Sequence, residues 1–327
     1  MTGRLPRLLA GLLRDPAASW ARLRLDLRLR RLRARSRFSS RPVTGDAAAV
    51  VNLTSYGHRI GTVFYTVESI AAGTVRPRRL ILWLDDPAVL AHPPRTLDRL
   101  RARGLELLYS PDYGPHKKQF AYASTVHSPA LPLVAADDDV LYPRRWLADL
   151  LTGYARYPGD VHAHRTHRIE FDDGHDIAPY ARWSAGTGTQ ASFRTFCTGV
   201  SGILYPPALL TALATEGTGF TDRAPWADDV WVHSVMVRHG FRGRQVAALQ
   251  AEYPAVPGTQ RGTLYGRNVR DGGNDAQIHA CFGSAELRRM LEDPGGPGRG
   301  RSAGAVSPAA TGAAGARDAD EPGSHVR

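Results

Sequence analysis

Apolar positions in the middle of the chain fall into short runs separated by stretches with helical spacing. Residues 48–53, 79–84 (Arg-Leu-Ile-Leu-Trp-Leu), 105–109 and 131–136 are apolar runs bounded by turn formers and read as buried strands. Between them, residues 62–72, 95–103 and 117–126 read as helices, the first closed by Gly73 with Pro77 beyond, the second by Gly104. Further on the pattern predicts a helix over 144–157, a strand over 161–169, a polar loop over 171–192 and a strand over 199–205. A short helix over 208–214, a stronger one over 227–239 and a last strand over 245–249 complete the series. Strands alternating with helices predict an α/β fold built on a parallel, doubly wound sheet. Such sheets bind ligands beyond the carboxyl ends of their strands.

The fourth predicted strand stops on Asp137-Asp138-Asp139, followed by Val140-Leu141-Tyr142-Pro143. Three adjacent carboxylates repel one another unless a cation binds them. Oxygen ligands without neighbouring cysteines suit Mg²⁺ or Mn²⁺, ions that keep waters and bridge to substrate phosphates. A solvated turn is the plainer reading of such acids. A second acidic pair, Asp228-Asp229, opens the helix predicted from 227, between Pro225-Trp226 and Trp231. Acids in a first turn satisfy free N–H groups and the helix dipole. A partly buried carboxylate there also suits a general base.

Composition divides the chain into three regions. Residues 1–45 carry 12 Arg, 2 acids and no Lys, whereas residues 46–292 are close to neutral, with 26 basic and 25 acidic side chains. The overall charge of +11 therefore belongs to the N-terminal arm, and a near-neutral core argues against nucleic acid as a partner. Within the arm, Leu25, Leu29 and Leu32 have helical spacing while residues 22–30 alternate as a strand would. The arm reads either as a basic amphipathic segment on an anionic membrane face or as a solvated basic tail. Residues 293–327 are rich in Gly, Ala, Pro and Ser and bury too little apolar surface to order themselves. The expected organisation is thus an arm over 1–45, one domain over 46–292 and a disordered tail over 293–327. Cys197 and Cys281 are too few for a disulfide framework, and no stretch reaches the length of a membrane span. Both point to a cytoplasmic protein, peripheral at most to the inner face of the membrane.

Three further groups carry candidate chemistry. Lys117 and Lys118, the only two lysines, follow His116 at the start of the third predicted helix, where N–H groups favour a phosphate. His162, His164 and His167 lack a carboxylate or Cys at zinc spacing, so Arg165 and Arg168 in the same stretch are the better contacts for an anionic substrate. Residues 272–279 read as a late loop closing over a ligand, with His279 as an additional metal ligand, or as the capped start of a terminal helix.

Several segments occur together and in order. They are Asn52-Leu53-Thr54-Ser55-Tyr56, Pro115-His116-Lys117-Lys118, the Asp137-Asp138-Asp139 triplet with Tyr142-Pro143, and Ala163-His164-Arg165-Thr166-His167-Arg168. Thr198-Gly199-Val200-Ser201-Gly202 with Tyr205-Pro206-Pro207, and then Asp228-Asp229, complete the set. Over roughly residues 50–280 this resembles a bacterial, family-2-like group of nucleotide-sugar-dependent glycosyltransferases. The resemblance implies a single A-type domain whose Rossmann-like, mostly parallel sheet is flanked by helices. It implies that Asp139 and Asp137 hold the divalent metal and nucleotide, with Asp138 between them, and that Thr54, Ser55 and Tyr56 meet the nucleoside. It implies that Asp229 deprotonates the acceptor hydroxyl in an inverting reaction and that Asp228, where many relatives carry Glu, orients the acceptor. The implied partners are a nucleotide-sugar donor and a glycan or lipid-linked acceptor in surface polysaccharide synthesis. A nucleotidyltransferase would share sheet, metal and acids, but wants a Gly-rich loop where this chain has Thr54-Ser55-Tyr56-Gly57-His58-Arg59. A non-catalytic, membrane-tethered binding module is the remaining alternative.

Overall fold

A computed structural model describes residues 16–173, 176–260 and 272–293 of the 327-residue chain. Most of the expected low-complexity tail, from residue 294, lies outside the described residues, as does the segment before residue 16.

The chain enters through helix α1 (Pro16–Phe38) and strand β1 (Ala47–Thr54), then α2 (Val63–Ala71), β2 (Pro77–Leu84), α3 (Pro87–Ala91), α4 (Arg95–Arg101) and β3 (Leu105–Tyr109). A 3-10 turn (Gly114–Lys118) leads into α5 (Phe120–Thr125), β4 (Leu133–Ala135), α6 (Trp146–Arg156) and β5 (Val161–Ala163). Short strands follow as β6 (Thr166–Arg168), β7 (Phe171–Asp172), β8 (Asp176–Ile177), β9 (Ser184–Ala185), β10 (Thr195–Cys197) and β11 (Ile203–Tyr205). The remainder is α7 (Pro207–Glu216), α8 (Phe220–Arg223), α9 (Asp228–His239), β12 (Gly243–Gln245), α10 (Gly273–Cys281) and α11 (Ser284–Leu291).

Seven strands form the central sheet in the order β12-β5-β11-β4-β1-β2-β3. Every neighbouring pair is parallel except those made by β11, which runs antiparallel to both β4 and β5. The expected mostly parallel sheet flanked by helices is present. Its strands read as continuous apolar runs because both faces are covered. Val51, Leu53, Leu80, Leu82 and Val134 face one buried cluster, while Val50, Ile81, Trp83, Leu133 and Ala135 face another. The antiparallel strand brings its own start to the edge where the parallel strands end. Gly202 enters it at φ +95°, and a Cβ there would lie 2.7 Å from the Trp146 indole. Only glycine fits that approach.

Three expectations change. The strand expected over 161–169 is two strands, β5 in the central sheet and β6 in a small sheet with β9 and β10, so the chain changes sheets at His164 and Arg165. The polar stretch after 171 contains β7, β8 and β9 rather than loop alone. The last strand lies earlier than expected, at Gly243–Gln245.

The arm is the larger revision. Residues from 16 onward are a helix docked on the domain, so the division at 45/46 separates segments that pack together. Leu32 is 4% exposed against Leu141 and Val256, with Leu25 and Leu29 beside it. Arg35 pairs with the buried Glu68, which Arg103 also holds, and Arg28 donates to the carbonyl of Tyr142. The leucines with helical spacing make the contact, which the equally good strand alternation concealed.

Candidate active site

The carboxyl ends of β1, β2, β3 and β4 share one edge of the sheet, and the candidate residues gather there. Two residues beyond β4, Asp137, Asp138 and Asp139 diverge. Asp137 forms an ion pair with Lys118 at 2.7 Å. Asp138, 4% exposed, accepts from the Ser55 hydroxyl at 2.6 Å and from Arg59 at 2.9 Å. Asp139 lies 3.3 Å from the other Arg59 nitrogen and accepts from the Gln260 amide at 2.9 Å. Arg59 and Gln260 are the partners of the triplet that the sequence does not signal. Arg59 sits in a 3-10 turn after β1, and Gln260 is carried on a segment whose Val256 N–H bonds the Asp139 carbonyl.

The three residues at the end of the second 3-10 turn go separate ways. His116 is fully buried, donates from Nε2 to the Ala224 carbonyl at 2.8 Å and stacks on Phe220. Burial pushes its pKa down to about 4, so it is a neutral tether to the segment preceding Asp228. Lys117 pairs with Asp85 and with Asp112, beyond the ends of β2 and β3 and away from the triplet. Lys118 bridges the two acidic clusters, 2.7 Å from Asp137 and 3.6 Å from Asp228. Its main chain is held by Asn52, buried in β1, whose side chain donates to the Lys118 carbonyl at 3.2 Å.

Asp228 and Asp229 open α9, as expected. Asp229 accepts from the Gly199 N–H at 2.9 Å, and a Cβ on Gly199 would lie 3.2 Å from its other oxygen and 3.4 Å from Lys118 Nζ. The turn before the antiparallel β11 therefore completes the cleft. Of the nucleoside candidates, Ser55 is engaged by Asp138, Thr54 donates to the Trp83 carbonyl, and Tyr56 is 50% exposed with the Arg59 guanidinium 5.9 Å from its ring centre.

Charge in this cleft is unbalanced. Five carboxyl groups, at 137, 138, 139, 228 and 229, face the two cations Lys118 and Arg59, a surplus of three acidic groups. Burial and the neighbouring Asp137 raise the Asp139 pKa to about 6. Burial and Asp228 raise that of Asp229 to about 7. Burial also opposes a charge on Lys118, but Asp137, Asp228 and Asp229 outweigh it and hold the ammonium firmly protonated. Such a surplus, presented by hard oxygens, fits a divalent cation of the Mg²⁺ or Mn²⁺ type, which takes one or two protein carboxylates and completes its shell with water and phosphate. Among the described residues no grouping of three or more His, Cys, Asp or Glu is set to hold a metal. His279 is exposed in the last turn of α10, and that stretch is helical rather than a loop, with α11 still to follow. His162, His164 and His233 are structural, each bonding a main-chain carbonyl, at 2.9, 3.0 and 2.9 Å. Arg165 donates to the Thr198 hydroxyl at 3.3 Å and pairs with Glu252 at 3.4 Å, contacting none of the five acids.

No protein-family model matches the sequence, and no curated protein matches it. Solved structures do. The mannosyltransferase PcManGT from Pyrobaculum calidifontis, in complex with GDP-Man and Mn²⁺, aligns over 77% of this chain and 71% of its own at 15% identity, with a TM-score of 0.47. S. aureus TarS 1-349 aligns over 74% and 69% at 13% identity, TM-score 0.45. A CMP:2-keto-3-deoxy-manno-octonic acid synthetase complexed with CTP aligns over 71% and 99% at 14% identity, TM-score 0.39. The chemistry of the cleft rests on its own side chains.

Proposed function

We propose that this protein is a metal-dependent glycosyltransferase of the hexosyl-transferring kind, acting in the cytoplasm. It moves a sugar from a nucleoside-diphosphate donor to a hydroxyl of a glycan or lipid-linked acceptor, with inversion, in the synthesis of a surface polysaccharide. The observation that supports this most is the convergence of two distant acidic clusters on one ammonium, Lys118.

The clusters divide the work. Asp139 and Asp137 would hold a Mn²⁺ or Mg²⁺ ion, which when bound supplies positive charge to the departing diphosphate. Ser55 and Arg59 lock Asp138, so it stiffens the triplet instead of adding a free ligand. The exposed ring of Tyr56 offers the nucleoside a flat apolar face. On the other side, Gly199 fixes one oxygen of Asp229 and leaves the second for an acceptor hydroxyl. As that hydroxyl oxygen bonds the donor's anomeric carbon, its proton passes to Asp229 and the bond to phosphate breaks with its electrons on the diphosphate. A base whose pKa is raised toward neutrality is suited to that transfer. Asp228 orients the acceptor, and Lys118 keeps both clusters in register.

The reading is tested by thermal unfolding with a panel of nucleoside diphosphates and their sugar conjugates, with Mn²⁺ or with chelator. A ligand that binds only the native state raises its melting temperature. At least one sugar nucleotide should do so only when Mn²⁺ is present. Stabilisation by none of them, or equal stabilisation in chelator, would refute it.

A further inference from the structure

At the start of α2, where Gly61 and Phe64 contribute to the wall, α1 and α4 border a cavity of about 470 Å³. That is ample for a phosphorylated headgroup or metabolite. Arg33 and Arg37 of α1 and Arg95 and Arg99 of α4 line it. Both pairs have i,i+4 spacing, an arrangement in which like charges weaken a helix. The two helices then set their pairs against each other, joined by the Arg99 Nε–H donating to the Ser36 carbonyl at 2.8 Å.

Among the described residues none of these four guanidiniums has a carboxylate partner. The nearby acids are committed elsewhere, Glu68 to Arg35 and Arg103, and Asp98 to Arg101. Ser36 also lines the cavity. It is 2% exposed, and its hydroxyl has no hydrogen-bond partner. A buried hydroxyl left unpaired is costly and calls for an explanation. An anion in the cavity would give the hydroxyl a partner and supply the counter-charge that no carboxylate brings to the four guanidiniums.

We propose that this cavity binds a phosphate-bearing group, held among Arg33, Arg37, Arg95 and Arg99 with the Ser36 hydroxyl as a further donor. Guanidinium forks match phosphate oxygens in charge and geometry. The phosphate can arrive free in solution or on a lipid. The second source is a real alternative because α1 also exposes Trp20, Leu23 and Leu27, at 55, 39 and 44% and spaced i, i+3, i+7, as a helix at a membrane surface does.

The test uses the full-length protein with chelator, at about 0.15 M salt to damp diffuse attraction. One arm measures binding of inorganic phosphate by calorimetry. The other measures sedimentation with vesicles of phosphatidylglycerol and phosphatidylcholine against phosphatidylcholine alone. The wild type should bind in at least one arm. The double variant Arg33→Gln, Arg95→Gln should weaken that binding by at least about tenfold, the effect of losing little more than one strong contact. Both side chains are exposed, so an unchanged melting temperature verifies that the variant folds. Arg78→Gln with Arg288→Gln makes the same charge change at exposed positions elsewhere and should retain binding. Phosphate binding identifies a free ligand, and binding to the anionic vesicles alone identifies a lipid headgroup. Absence of binding in both arms, an unaffected Arg33 and Arg95 variant, or an equal loss in the control would overturn the proposal.

Discussion

Asp137, Asp138 and Asp139 are adjacent in the chain yet meet Lys118, Ser55 with Arg59, and Arg59 with Gln260 respectively. The sequence marks the three acids as a unit; the separation of their roles comes from partners far away in the chain. Lys117 and Lys118 make the same point, since adjacent ammoniums in a 3-10 turn reach separate sets of acids, Asp85 with Asp112 and Asp137 with Asp228. The raised pKa values give a testable consequence. Asp139 and Asp229 bind protons more tightly folded, at about 6 and about 7, than in an unfolded chain, at about 4. Their contribution to stability is therefore complete below about pH 4 and is lost as pH rises through 6 and 7. Buried, neutral His116 and His233, both with pKa held down to about 4, gain stability over the same range, so the test is the difference between two proteins. In chelator, between pH 5 and pH 8, the melting temperature of Asp229→Asn should rise relative to wild type by a few degrees. A pH dependence unchanged by the substitution would show that Asp229 is not the strained carboxylate.

Elements differed in how openly the sequence declared them. Strand β3 lies where expected, because its apolar run is closed off by Gly104 and by Ser110-Pro111. Strands β5 and β6 read as one, since a change of sheet at His164 leaves no break in the apolar pattern. For α1 the residues were visible and the conformation was not. Its docking has consequences for the site, because Leu32 packs on Leu141 and Val256, and Val256 bonds the Asp139 main chain. Leu32→Ala should cost roughly 2 kcal/mol, the lower end for a buried leucine. The checks are urea unfolding and the rate of tryptic cleavage within the arginine-rich helix. A variant as stable and as resistant as the wild type would mean that α1 rests on the surface without support from Leu32.

For the whole molecule, the parallel sheet could be read from alternating apolar runs, and the position of the triplet at a strand end followed from it. The convergence of residues 137–139 with 228–229 could not, since it depends on Lys118 bridging them and on the turn before one antiparallel strand bringing Gly199 to Asp229. Among the described residues no helix is long and apolar enough to cross a membrane. The central claim is that one acidic cluster serves the leaving diphosphate and the other the incoming hydroxyl. It is tested most directly by measuring Mn²⁺-dependent sugar-nucleotide binding and sugar transfer side by side in Asp139→Asn and Asp229→Asn. Asp139→Asn should lose the metal-dependent binding. Asp229→Asn should keep binding close to wild type while transfer falls by about 10²–10⁴-fold, the usual worth of a general base. Equal loss of binding in both variants, or transfer undiminished in Asp229→Asn, would contradict the account.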